Sequence, residues 1–170
     1  MFDSIKPIPE KVAEVLAGSA GVRKELAGQT ERGAAVLGAA YLDGIMKALL
    51  ESSFIKGATT KELLNDSGPL GSFAARAKLL YCIGYIPKHI YNDLIRLAEI
   101  RNQFAHKRMR CTFDALPSDM SCENLEVPKN AEWFLPSKNN RERFQIAVSL
   151  IASWLELVSR KITRFEVIEL

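Results

Sequence analysis

The chain is poor in the residues that build metal and redox sites. Its 170 residues hold three cysteines and two histidines. The cysteines are odd in number and lack the paired spacing of a zinc site, so no metal, cofactor or disulfide framework is expected. Cys82 reads as a core residue, and Cys111 and Cys122 as free thiols of a reducing cytosol. The N-terminus lacks the charged-then-apolar pattern of a signal segment, and Pro7 and Pro9 interrupt it early. No apolar run reaches the ~20 residues of a membrane span. A cytoplasmic location is therefore expected, without membrane partners. Period-two alternation, internal repeats and low-complexity tracts are missing too. The net charge of +3 gives no bulk argument for nucleic-acid binding.

What is present is helical periodicity. With 48% hydrophobic residues, the chain can bury one good core. The expected fold is all-α, a single-domain bundle of five to seven helices. Residues 1–29 form an N-terminal helical segment of one compact domain overall. Its first helix runs from about Pro9 to Leu16, loosened afterwards near Gly18 and Gly21. A second helix starts after Thr30, a good N-cap with Glu31 in the first turn. Apolar on most sides and rich in small residues, it should be central. A short helix spans 60–65, Ser72 caps another that ends at Gly84, and Pro87 opens the next. Residues 110–136 make a long connection with one short helix near 118–125. The last helix runs from Ser137 to about Arg164, with the seam Phe144, Val148, Ile151, Leu155, Val158 and Ile162.

The chemistry-bearing segment is Ile100-Arg101-Asn102-Gln103-Phe104-Ala105-His106. The rows Ile90, Leu94, Leu97 and Tyr91, Ile95, Ala98 lead into Arg101 and Asn102, and the second continues to His106. A guanidinium on a core-facing row is costly unless it is paired or faces a wet cleft. Two readings follow. In the structural one, Arg101 pairs with Glu31 or Asp43 of the central helix, and His106 suits a helix C-terminus. In the catalytic one, Arg101, Asn102 and His106 share a cleft where histidine moves a proton and arginine holds a phosphodiester. That chemistry needs no metal, and RNA is its substrate. One helix supplies too few groups for both acid and base, so two copies would face each other. Lys107, Arg108 and Arg110 follow as phosphate-binding candidates. Arg76 and Lys78 are the only basic residues that the helix after Ser72 could offer to DNA. That helix is otherwise apolar, which argues against direct DNA reading. Trp133 and Phe134, in the long connection, either pack over the bundle or anchor a partner.

Gly68-Pro69-Leu70-Gly71-Ser72-Phe73, with Arg76, Lys78-Leu79, Tyr81, Gly84, Ile86, Tyr91, Asp93-Leu94 and the segment 100–106, resembles the mannitol operon repressor family. Residues 31–43, Phe113-Asp114, Cys122 and Leu125 extend the likeness, so that residues 30–170 form the repressor-like domain. The resemblance implies a compact helical regulator of transcription that works through protein partners. Arg101, four intervening residues and His106 also resemble the signature of the HEPN superfamily, with Asn102 as the polar residue after the arginine. In active members that signature implies a dimeric, metal-independent ribonuclease acting as a toxin or defence effector. The expected function is a homodimeric regulator that works through protein contacts. A ribonuclease is the alternative, and a structural or antitoxin-type partner without chemistry is the third.

Overall fold

The computed structural model describes residues 10–106 and 111–167, with side chains from residue 18 onward. The described residues form seven α-helices and no strand: α1 (Glu10–Ala27), α2 (Glu31–Ser53), α3 (Ala58–Leu64), α4 (Phe73–Cys82), α5 (Lys88–His106), α6 (Glu126–Ala131) and α7 (Asn140–Ser159). Three 3-10 turns lie between α5 and α6. The all-α bundle expected from the sequence is the observed class.

Local chemistry sets the helix starts. Thr30, Ser72 and Asn139 each accept a hydrogen bond from the backbone N–H three residues on, which satisfies a donor the helix leaves open. α2 buries Ala34, Ala35, Gly38, Ala39, Leu42, Met46, Leu49 and Leu50. Its small residues admit close neighbours: a Cβ on Gly38 would lie 3.0 Å from a Phe144 ring carbon and 3.1 Å from a Val148 methyl. α7 supplies the facing seam, with Phe144, Val148, Ile151 and Leu155 wholly buried. The seam is internal to the bundle. α2 and α7 run parallel, since Gly38 meets Phe144 while Tyr41 donates to Glu156. α1 lies antiparallel along α7, Gly18 against Ser153.

Several boundaries differ from expectation. α1 continues through Gly18 and Gly21 to Ala27, because packing along α7 outweighs the helix cost of glycine, about 1 kcal/mol each. α7 ends at Ser159; the chain then leaves the bundle axis, and the Phe165 N–H donates to the Ser53 carbonyl. The long connection holds short 3-10 turns over 118–124, and its α-helix is displaced to 126–131. Cys82 is exposed, contrary to the sequence reading, while Cys111 and Cys122 are free thiols as expected, Cys122 buried. Burial pushes the Cys122 thiol up to about 12. α2 is also apolar enough to cross a membrane by length and composition, contrary to the sequence reading. Its packed face makes it the core helix here.

Candidate functional site

α5 positions the segment that drew attention in the sequence. Its buried residues are Ile90, Asp93, Leu94, Leu97, Ala98, Ile100 and Phe104. The seam thus steps from Leu97 to Ile100 and Phe104, not to Arg101 and Asn102. Arg101 stands half-exposed at the edge of that seam, while Asn102 and His106 face solvent. Lys107, Arg108 and Arg110 lie outside the described residues.

The expected ion pairs of Arg101 are overturned. The Asp43 carboxylate is taken by Arg76, at 2.7 Å, and Glu31 accepts the Phe113 N–H, also at 2.7 Å. Arg76 itself is a core residue, 1% exposed, and also donates to the Leu64 carbonyl. It cannot touch DNA or any other surface ligand. Lys78 remains exposed. Around Arg76 the Gly68–Ser72 turn folds tightly: a Cβ at Gly68 would overlap the carbonyl oxygens of Glu62 and Leu63, and one at Gly71 those of Asn65 and Asp66. Side chains larger than hydrogen do not fit there. The glycine motif is the joint that presents α4 and its arginine to α2.

The buried charge on the α5 seam is Asp93, fully enclosed. Its carboxylate accepts the N–H groups of Glu126 and Val127, at 2.8 and 2.7 Å, and so caps α6 and ties it to α5. Burial raises its affinity for a proton, against the lowering effect of those two bonds and of Arg96. Glu126, held by Asn92 and Arg96, is shifted the opposite way, chiefly by the Asn92 hydrogen bond. The sequence pattern contained the signal, because Asp93 falls three after Ile90 and four before Leu97.

Beyond this joint, α5, α6 and α7 enclose an open apolar groove of about 390 Å³, within the range of binding sites. Ile90, Val127, Phe134, Leu150, Trp154 and Val158 line it, and His89, Asn130 and Lys161 are its polar members. His89 forms part of this wall and is half-buried. Trp154 is 41% exposed, and Trp133 nearby is 62% exposed while meeting Phe134 edge-on at 4.6 Å. Phe134 packs on Ala131, Ile146 and Leu150, but Trp133 does not pack over the bundle. Trp154 lies three residues after Ile151 and four before Val158, two seam residues that also line the groove, so helical spacing alone did not set it apart from the core.

Arg101 and His106 are gathered at the other end of the bundle. There Phe104, Phe113 and Phe144 join α5, the connection and α7, with centroids 4.7 and 4.9 Å apart. Arg141 donates to the carbonyls of Ala27 and Gln29, and Arg143 to Ser137. Among the described residues no hydrogen bond or ion pair joins Arg101, Asn102 and His106 to one another. The five-residue spacing sets Arg101 and His106 about 140° apart around the helix. A metal-binding cluster is also missing among the described residues.

Comparison with known proteins places this architecture. No curated protein matches the sequence. A chain from the X-ray structure of the MtlR-HPr complex from Escherichia coli superposes with a TM-score of 0.56 at 22% identity, over 85% of this chain and 98% of that one. At that identity the likeness establishes the fold. The family model for the mannitol repressor, MtlR, matches residues 34–154, well over half of the sequence, from the first turn of α2 into α7. The chain belongs to the mannitol repressor family.

Proposed function

We propose that this protein is a cytoplasmic regulator of the mannitol-repressor kind that acts by docking another protein, not by reading DNA. The observation that carries the reading is the apolar groove beside α6, flanked by Trp154 and Trp133. Exposed tryptophans around an apolar recess are the usual anchors of protein interfaces. α4, the helix weighed for DNA contact, spends its arginine inside the core, on Asp43. The structural relative was solved as a complex with HPr, and an HPr-type protein is the partner proposed here. The test is calorimetric titration with purified HPr. Binding by the wild type, weakened roughly tenfold or more by Trp154→Ala and by Trp133→Ala, is the expected result. Absence of binding would remove HPr as the partner, and binding indifferent to both changes would remove the groove.

A second reading, metal-independent ribonuclease activity, is favoured by one observation. Arg101 and His106 are both accessible to solvent, and the carboxylates that would have locked Arg101 in a purely structural role are occupied elsewhere. RNA cleavage in EDTA by the wild type but not by His106→Ala would establish it. No cleavage would leave the protein-docking regulator alone.

A further inference from the structure

Where α1 stops and α7 starts, the two helices border a second open pocket, of about 300 Å³. α1 contributes Arg23 and Lys24, α7 contributes Glu142, Gln145 and Ile146, and Pro136 comes from the connection. Lys24 falls in the last turn of α1, where a cation suits the helix dipole, so its place is explained without a ligand. Arg23 is different. It is half-buried, and its Nε is enclosed with no acceptor among the described residues. None of the ion pairs among those residues includes it. A guanidinium that loses part of its hydration without gaining an acceptor or a counter-charge is costly to hold. Gln145 adds to the deficit: it is 8% exposed, and its side-chain amide makes no hydrogen bond to another described residue. The acid on this wall is engaged elsewhere. Glu142 accepts the Lys138 N–H at 2.8 Å while its own N–H donates to Asn139, the reciprocal box that starts α7. Arg141, the neighbouring cation, is engaged by the carbonyls of Ala27 and Gln29.

We infer that this pocket binds a small organic carboxylate through Arg23. An oxyanion supplies the acceptor and the counter-charge that the chain withholds from that guanidinium. The planar fork of arginine matches a carboxylate with two parallel hydrogen bonds, and the Gln145 amide has two further donors. Charge selects a carboxylate over a phosphate. Two cations against one carboxylate leave the lining a single positive charge, and a doubly charged phosphate would meet more repulsion from Glu142. Ile146 and Pro136 give the wall an apolar part, so the acid carries a compact apolar body. The volume is at the lower end for ligand sites and suits a small acid. The pocket shares no lining residue with the groove beside α6, so it stands whether or not a partner docks there.

The test is a proton–nitrogen NMR titration of the full chain with benzoate, acetate and inorganic phosphate, followed at the Arg23 Nε–H and the Gln145 side-chain amide. Benzoate should shift both signals to saturation. Acetate lacks the apolar body and should bind roughly tenfold more weakly, with phosphate also weaker than benzoate. Arg23→Gln should weaken benzoate by roughly tenfold or more, read at Gln145, while holding the urea midpoint, because the arginine has no partner to lose. Glu142→Gln keeps an acceptor for the Lys138 N–H and removes the opposing charge, so it should tighten benzoate by roughly threefold. Shifts that stay linear in concentration overturn the inference, as does benzoate binding that Arg23→Gln leaves unchanged. Phosphate that saturates the same signals more tightly than benzoate overturns the carboxylate and makes the occupant a phosphate.

Discussion

Two arginines exchange the roles that their positions in the sequence suggest. Arg101 stands where an apolar row should continue, yet it lies at the edge of the seam. Arg76 stands in an unremarkable turn of α4 and is almost completely buried, with Asp43 and the Leu64 carbonyl as partners. Removing one member of a buried ion pair leaves the other desolvated without compensation. Asp43 is about one-third exposed, so water recovers part of that cost. Arg76→Ala should therefore lower stability by about 3 kcal/mol, at the lower end for such pairs. Arg101→Ala should change it by about 0.5 kcal/mol or less. Urea denaturation of the two variants checks both figures. Equal losses would mean that Arg101 carries a structural load its surroundings do not reveal. Helical spacing alone could not rank these arginines. A stripe of period 3.6 drifts across a 19-residue helix, and the choice between Ile100 and Arg101 is a single step of that drift.

At the scale of elements, α6 shows how a short helix is held. Six residues are too few to form a stable helix alone. The Asp93 carboxylate supplies the missing cap across space. Its pKa is raised from 3.8 by burial, so the folded state binds its proton more tightly than the unfolded chain does. The stabilisation linked to that proton is complete below 3.8 and is lost as pH rises through the raised folded value. Asp93→Asn, which cannot ionise, should therefore remove a decline of stability with rising pH that begins near 3.8 in the wild type. It should also speed amide exchange at Glu126 and Val127, because an amide side chain offers one acceptor where the carboxylate offers two. Denaturation midpoints across pH, with hydrogen exchange at those two amides, measure both effects. An unchanged pH slope would refute the assignment. The place of α6 was misread in the sequence for the same reason: its cap lies 33 residues away, at Asp93. By contrast α2, α4 and α7 carry local caps, and their starts were legible within a residue or two.

For the whole molecule, the open question is how the long connection after α5 belongs to the bundle. Its fold class and helix order were legible because apolar periodicity is a local property. The course of residues 111–125 was not, since it depends on contacts far apart in sequence. Phe113 makes those contacts: its ring sits between Phe104 of α5 and Phe144 of α7, and its N–H is held by Glu31 of α2. One residue thus ties the connection to three helices at the end of the bundle where Arg101 and His106 lie. Leu116, Cys122 and Leu125 follow it into the same core. A connection built into the core in this way should unfold with it. Phe113→Ala should then cost about 3–5 kcal/mol, the range for a buried phenylalanine. The loss should appear as one shifted transition, coincident by circular dichroism and by the fluorescence of Trp133 and Trp154, since the defect weakens the shared core. Fluorescence that changes ahead of the helical signal would show instead that the connection and α6 form a separate cooperative unit. In that case the groove beside α6 could open without unfolding the bundle, and partner binding there would draw on a local equilibrium.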